Sequence, residues 1–308
     1  MGRIGVDLYP LQVGRTLRTV ESFGKYLGGS ATNVAVAAAR YGRRTAVISR
    51  TGADPFGEYL HDALRAFGVD DRYVFAVPGL PTPVTFCEIF PPDDFPLYFY
   101  RFPKAPDLEI NSDELDYDAI VASEVFWATV TGLSSEPSRT ATLAALQARA
   151  GRGHTVLDLD YRPTFWPSRE AARAEVEGAL PLVNVAVGNL DECLTAVGEA
   201  EARPALKALR EAGVRTVIVK QGPAGVLAAD SGREVQMPAA PTHVVNGLGA
   251  GDAFGGALCH SLISGWDLER AMRFCSAAGA IVASRLACAD AMPTADEVEA
   301  KIEEAGQA

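Results

Sequence analysis

The segment Asn246-Gly247-Leu248-Gly249-Ala250-Gly251-Asp252 sets a carboxylate at the mouth of what its composition makes an anion-binding helix. Gly249, Ala250 and Gly251 carry almost no side chain, so their backbone N–H groups can come close to a ligand. The run Ala253-Phe254-Gly255-Gly256-Ala257-Leu258 follows at once and predicts a buried helix. A helix N-terminus offers N–H donors without intrahelical acceptors and the positive end of the peptide dipole, which together suit a phosphate. Asp252 falls in the first turn, where a carboxylate can take the proton of a hydroxyl attacking that phosphate. Taken alone, the segment fits equally well a glycine turn with Asp as an ordinary helix-start residue.

A second small-residue helix opens at Gly28-Gly29-Ser30-Ala31-Thr32-Asn33. With the G-A-G-D turn near the C-terminal end, it resembles the two signatures of the ribokinase-like (PfkB-type) sugar kinases. The resemblance runs over nearly all 308 residues, with the motifs in the family's order. It implies a three-layer α/β/α core with a mainly parallel sheet, plus a small β-sheet lid, and ATP and Mg²⁺ as the working partners. It makes Asp252 the base and the N–H groups from Gly249 through Ala250 and Gly251 to Asp252 the anion hole for the transferring phosphoryl group. Asp7 and Asn33 are the family's positions for hydroxyl recognition, with Gly28, Gly29 and Ser30 allowing close approach of the sugar. Short carboxylates and amides hold vicinal hydroxyls in fixed geometry, although each could also be a turn residue.

Asn189-Leu190-Asp191-Glu192 matches the family's N-x-x-E element, in which Glu192 acts on Mg²⁺ largely through water and Asn189 lies near the phosphates. Magnesium keeps several waters, so one carboxylate with nucleotide oxygens is a reasonable shell. On its own the pattern is also that of an Asn helix cap followed by Glu. Lys220-Gln221-Gly222-Pro223-Ala224-Gly225 corresponds to a K-x-G-x-x-G-like turn, which would bring Lys220, Gly222 and Gly225 to the nucleotide. No G-K-[ST] and no G-x-G-x-x-G occurs, so the nucleotide site is of neither the P-loop nor the Rossmann type. An NAD-dependent dehydrogenase thereby loses its glycine fingerprint.

Asp158-Leu159-Asp160-Tyr161-Arg162-Pro163-Thr164-Phe165-Trp166 resembles the D-x-N-x-R-x-x-x-W segment of kinases acting on keto-deoxy sugar acids, with Asp160 replacing the usual Asn. Arg162, and Arg101 after Tyr98 and Tyr100, are two cations for an acid substrate, since an arginine fork pairs bidentately with carboxylate or phosphate. Two surface salt bridges are the plain alternative. The implied reaction is transfer of the ATP γ-phosphoryl group to the terminal hydroxyl of such an acid. Isomeric acids of the same charge stay open, because a small pocket rarely separates isomers by charge alone. A regulator that binds nucleotide and sugar without turnover is the reading of another class, and the presence of Asp252, Glu192 and the anion-hole glycines speaks against it.

The resemblance also implies a candidate K⁺ site built from Asn246, Leu248, Val282, Arg285 and Ala287. Asn246 and Gly247 stand where the family has Asp and Thr, and Ala291 where some members have Ser. The exchange removes a formal charge, and a charge pair near 4 Å involves roughly 4 kcal/mol at an effective dielectric of about 20. Weak K⁺ activation or none is expected.

These residues need elements to hold them. From Ala119 onward strand and helix signals alternate. Ala119 to Ala122, Val125 to Val130, His154 to Leu159, Val183 to Val187 and Val214 to Lys220 read as strands. Glu136 to Ala150, a segment from near Ser168, and Arg203 to Ala212 read as helices, the last stopped by Gly213. Apolar strands alternating with helices mean βαβ units and a parallel sheet covered on both faces. Residues 8–23 and 82–102 instead carry extended β-type sequence without helices. They predict a small separate sheet, which the resemblance makes a lid and a homodimer contact. We expect one kinase domain over residues 1–308. The family's first apolar strand normally precedes the Gly2-to-Asp7 segment, so this strand is shortened or the start is assigned late.

Composition closes off other classes. Hydrophobic content of 48% supports an ample core, and a net charge of −11 argues against a nucleic-acid partner. Five scattered cysteines without a C-x-x-C pair favour reduced thiols in a cytoplasmic protein, and four scattered histidines make a His-built metal site unexpected. No apolar run reaches membrane-spanning length.

Overall fold

Buried almost throughout, Gly5–Pro10 forms the first strand, β1. Phe23–Gly28 (β2) returns antiparallel to it, Gly5 facing Gly28 and Pro10 facing Phe23. Gly29 then turns the chain with φ 102°, where an added Cβ would sit 2.4 Å from the Arg3 carbonyl oxygen. Only glycine fits there. Helix α1 (Ser30–Arg40) therefore starts directly against the residues that precede β1. Thr45–Ala46 (β3), Ser49–Gly52 (β4), helix α2 (Pro55–Ala66), Val69–Asp70 (β5) and Val74–Val77 (β6) follow, with β3 parallel to β5 and β4 parallel to β6. Asp54 caps α2 by accepting the Gly57 N–H at 2.8 Å. Val84–Cys87 (β7) and Leu97–Tyr100 (β8) complete a four-stranded sheet ordered β2-β1-β7-β8.

The structure is a computed structural model that describes residues 1–307, and the chain divides into two compact units. The elements just given belong to one, residues 2–107, together with Ala240–Ser261 and the stretch from Arg273 onward. The other takes Met1, Leu108–Ala239 and Leu262–Met272. Its sheet is the six-stranded one: Val125–Thr129 (β9), His154–Asp158 (β10), Val185–Asn189 (β11), Thr216–Lys220 (β12), Val226–Ala229 (β13) and Glu234–Met237 (β14), ordered β14-β13-β12-β11-β10-β9. β9 to β12 run parallel, while β13 and β14 add antiparallel at one side. Val156, Leu157, Ala186, Val187, Val217, Ile218 and Val219 are all buried, as a sheet covered on both faces requires. The helices are Tyr117–Ala122 (α3), Ser138–Arg149 (α4), Arg169–Ala179 (α5), Leu190–Val197 (α6) and Ala202–Glu211 (α7). Ala250–Ile263 (α8), Leu268–Ala283 (α9) and Ala295–Gln307 (α10) finish the chain.

Two expectations need correction. Ala119 to Ala122 is not a strand but the body of α3. Asp116 accepts the Ala119 N–H at 2.9 Å, and the fully buried Arg149 guanidinium donates to the carbonyls of Ile120 and Val121 at 3.1 Å each. A four-residue apolar run does not distinguish helix from strand, and here caps at both ends decide. Residues 11–22 are turns and bends rather than extended strand. Gly14 adopts φ 82°, and side chains replace a ladder: Gln12 accepts the Glu21 N–H at 2.7 Å and Glu88 the Leu17 N–H at 2.6 Å. The 82–102 stretch does form the expected antiparallel pair, β7 with β8. Among the described residues no helix is long and apolar enough to cross a membrane, and all five cysteines are buried and outside any disulfide.

Candidate active site

Asp252 lies in the first turn of α8, and its Oδ2 accepts a hydrogen bond from Asn33 Nδ2 at 2.8 Å. The two glycine-rich signatures, 219 residues apart in sequence, therefore meet at the residue expected to act as base. The meeting depends on small residues. An added Cβ at Gly256 of α8 would lie 2.3 Å from Ala37 Cβ and 2.9 Å from the Val34 carbonyl oxygen of α1, so the helix backbones pack in direct contact. Asn33 is 3% exposed and its Oδ1 has no hydrogen-bond partner. A buried acceptor left open in this way is costly unless a ligand donor fills it.

Asp7, on β1, belongs to the same cluster. Gly28 makes room for it, since a Cβ there would fall 2.2 Å from Asp7 Cγ. Burial pushes the Asp7 carboxyl up to about 6. The Tyr9 hydroxyl and the Arg3 charge oppose that rise, while the nearby Asp252 charge adds to it. Tyr9 donates to Asp7 Oδ2 at 3.1 Å and contacts Cys288 Sγ at 2.7 Å. Its ring sits in an apolar cluster with Cys87, Ile89 and Ala287. Cys288 in turn touches the turn that opens α8: Gly249, at φ 82°, has no room for a Cβ, which would lie 2.5 Å from Cys288 Sγ. A continuous set of contacts thus joins the Gly249 turn, Cys288, Tyr9 and Asp7. Sequence reasoning missed Tyr9, Cys288 and Arg3. Asp7 and Tyr9 share the odd-numbered positions of β1, a signal that was present; Arg3, which precedes the strand, and Cys288 offer none.

In the other unit, the carboxyl ends of four parallel strands present a row of polar groups. β9 leads to Thr131, β10 to Asp160 and Arg162, β11 ends at Asn189, and β12 ends at Lys220. Open α/β sheets place their ligands at this edge. Arg162 Nη2 pairs with Asp160 at 2.8 Å and its Nη1 stands 3.7 Å from Glu192. Lys220 Nζ is 4.0 Å from the other Glu192 oxygen. Asn189 and Glu192 form a reciprocal cap at the start of α6, with Glu192 N–H donating to Asn189 Oδ1 at 2.9 Å and Asn189 N–H to Glu192 Oε2 at 2.7 Å. Gly222 and Gly225 make the turn after β12; a Cβ at Gly225 would lie 2.0 Å from the Met237 carbonyl oxygen.

This donor set suits a magnesium–phosphate group better than a metal caged by protein. Two carboxylates stand among two cations, and among the described residues no three His, Cys, Asp or Glu side chains converge on a metal position. Magnesium held by one carboxylate, water and phosphate oxygens needs no more. Arg101 pairs with the buried Asp107 at 2.8 Å, while Tyr100 is exposed on β8, edge-on to Phe86.

Around the candidate K⁺ position, protein donors engage the Val282 carbonyl and the Asn246 side-chain oxygen. Asn246 Nδ2 donates to the Leu286 carbonyl at 2.6 Å, and the Leu248 N–H to Asn246 Oδ1 at 3.0 Å. The Arg285 N–H takes the Val282 carbonyl at 2.9 Å, and its guanidinium the Ala291 carbonyl at 2.8 Å. Ala287 is buried beside them.

The sequence pattern of the pfkB family of carbohydrate kinases matches residues 1–295. The chain belongs to that family. This carbohydrate kinase is 31% identical over 309 residues to the 5-dehydro-2-deoxygluconokinase of Shouchella clausii (strain KSM-K16), a match covering 99% of this chain and 94% of that protein. Its fold is that of the ribokinases. It superposes with a TM-score of 0.88 on a putative Ribokinase II from E. coli in complex with ATP and Mg²⁺, at 24% identity and covering 98% and 97% of the two chains. It also resembles a fructokinase double mutant from Vibrio cholerae O395 in fructose, ADP and potassium ion bound form, with a TM-score of 0.86, 23% identity and coverage of 98% and 96%.

Proposed function

We propose that this pfkB-family kinase transfers the γ-phosphoryl group of ATP to the terminal 6-hydroxyl of 5-dehydro-2-deoxy-D-gluconate. The observation that carries the kinase reading is Asp252, held by Asn33 in the first turn of α8 beside a buried amide oxygen without a partner. A sugar hydroxyl would donate to Asn33 Oδ1 and Asp7, and Asp252 would take the proton of the attacking hydroxyl. N–H groups of the α8 first turn would stabilise the charge that develops on the phosphoryl oxygens. Lys220 and Arg162 would hold the nucleotide phosphates. Bound Mg²⁺ would supply charge neutralisation between phosphates, with Glu192 and Asn189 orienting its water shell. The named acid is supported by the relative at 31% identity across nearly the whole of both chains.

A coupled ADP-release assay tests the reading against a panel of keto-deoxy acids, hexoses, ribose and nucleosides. We expect the highest kcat/KM for 5-dehydro-2-deoxy-D-gluconate. Higher efficiency on 2-keto-3-deoxygluconate would reassign the substrate, and ADP release with no acceptor in the panel would reject sugar-acid kinase activity. We further propose a cytoplasmic homodimer that buries the four-stranded sheet as a shared lid. Tyr98, Tyr100 and the 82%-exposed Phe102 crowd its β8 edge, and an open aromatic strand edge invites a second copy. Light scattering of the wild type and of Phe102→Ser decides that point, a monomeric wild type rejecting it.

A further inference from the structure

Asp107 is a buried carboxylate that no sequence pattern singled out. It is 2% exposed, and its Oδ2 accepts from Arg101 Nη2 at 2.8 Å. Its Oδ1 is buried with no hydrogen-bond partner. A carboxylate accepts at both oxygens, and one left buried and unfilled costs its full desolvation penalty. Arg101 satisfies the first oxygen; the second calls for a donor from outside the chain.

Strand register places the pair. Asp7 on β1 stands opposite Thr85 on β7, and Thr85 opposite Phe99 on β8. Registered neighbours share a face of the sheet, and Thr85 does hydrogen-bond the Asp7 carboxyl. Phe99 therefore lies on the face of Asp7. Tyr98 and Tyr100 turn to the opposite face and are exposed, whereas the side chain of Arg101, two residues past Phe99, is only 10% exposed. The Arg3 guanidinium spans this wall, donating to Ser30 Oγ at 3.2 Å and standing 5.7 Å over the Phe99 ring. One face thus runs from Asp252 and Asn33 past Asp7 to Phe99 and the Arg101–Asp107 pair.

We propose that Asp107 is a specificity-determining residue that accepts a hydrogen bond from the acceptor's secondary hydroxyl farthest from the one phosphorylated. Asn33 bonds Asp252, so the near hydroxyls fall to Asn33 and Asp7 and the far one to the group across the sheet. In 5-dehydro-2-deoxy-D-gluconate the far one is the 3-hydroxyl. A cation and a carboxylate in contact are close to neutral as a unit, and Asp107 would repel a second carboxylate brought against its open oxygen. The pair therefore reads a hydroxyl, with Arg101 holding Asp107 in place. The inference rests on the kinase reading above and names the group that reads the far end of its acceptor.

The test compares wild type, Asp107→Ala and Asp107→Asn on the most efficiently used acceptor of the panel and on its analogue lacking that hydroxyl. The readout is the ratio of kcat/KM between the two acceptors, with thermal melts to confirm folding. Calorimetric binding of the named acid and its 3-deoxy analogue, without nucleotide, gives a second readout independent of turnover. We expect wild type to favour the complete acceptor by about 10- to 100-fold, as for a hydrogen bond to a charged group. Asp107→Ala should bring the ratio within about threefold of one. Asp107→Asn, its oxygen held by Arg101, turns an amide N–H toward the hydroxyl and should give an intermediate ratio. Equal losses on both acceptors would overturn the proposal and make Asp107 a positioning residue for Arg101. A wild type that handles the deoxy analogue as well as the complete acceptor would overturn it too. If another acceptor proves best, the substrate assignment falls while the ratio still decides Asp107. If no acceptor is turned over, the kinase reading falls and the calorimetric pair decides, equal or absent binding of the two overturning the proposal. Should Asp107→Ala fail to fold, the ratio measured for Asp107→Asn decides between the two roles.

Discussion

Tyr9→Phe removes one oxygen and leaves the ring in its apolar cluster, so it isolates the hydroxyl that links Cys288 to Asp7. With its proton on Asp7, Tyr9 receives the Cys288 thiol proton, and burial holds both the phenol and the thiol well above their usual ranges. Asp7 already stands at about 6, raised by burial. A hydrogen bond to a charged group contributes about 1.5–3 kcal/mol. At about 1.4 kcal/mol per unit, its loss should move Asp7 to about 7–8. The ionised fraction at pH 7 then drops from roughly nine-tenths to between one-half and one-tenth. If ionised Asp7 holds the acceptor hydroxyls, kcat/KM for the acceptor should fall roughly two- to tenfold at pH 7 and recover near pH 9. The assay is ADP release across about pH 5 to 9, with kcat/KM for ATP as the control. An acid limb unmoved from wild type would refute the electrostatic coupling. A loss equal at every pH would show that the hydroxyl matters to packing alone.

Asp252→Asn should lower kcat by about 10²–10⁴-fold while the protein still folds and binds ATP, because the amide keeps an acceptor for Asn33 and loses the base; activity within about threefold of wild type would leave Asp252 a helix-start residue. Asp7→Asn should raise thermal stability above pH 6 and abolish acceptor binding: the folded carboxyl titrates at about 6 against 3.8 for the free group, so stability present below the lower value is lost as pH rises through the higher one. That difference is worth about 3 kcal/mol, and a melting temperature unchanged by the substitution at pH 8 would contradict the buried-charge account. Titrating KCl at constant ionic strength, with tetramethylammonium as replacement, should change turnover by less than about twofold, since the Leu248 N–H already holds the Asn246 side-chain oxygen and the Arg285 N–H the Val282 carbonyl. A large saturable rise at low millimolar K⁺ would show that those donors yield.

What the sequence conveys about this enzyme depends on how local the signal is. The strand-end row from Asp160 and Arg162 to Lys220 was legible because parallel βα units place every strand terminus at one edge, and residues just past each strand must appear there; Thr131 was not singled out. Helix caps were legible where one residue made them, as with Ser168, whose Oγ accepts the Ala171 N–H at 3.2 Å. Where the cap came from elsewhere, reading failed. α3 is closed by Arg149, 29 residues beyond Ile120, and nothing inside its six residues announces the guanidinium.

The glycines show a subtler limit. Sequence reading assigned Gly28 and Gly29 to close approach by the sugar; what the structure displays directly is that their missing side chains admit the Asp7 carboxylate and the Arg3 carbonyl. A glycine reports that something comes near without saying what, because absence of a Cβ is the same whether ligand or protein fills the space. The contact between Tyr9 and Cys288 spans 279 residues and joins two side chains with no pattern between them. It depends on Gly249 letting the turn before α8 close onto the thiol and on an apolar cluster that fixes the phenol ring. Residues that touch substrate follow the chemistry of the reaction and can be sought by type. Those that hold them follow packing, and packing is settled only once the chain has folded.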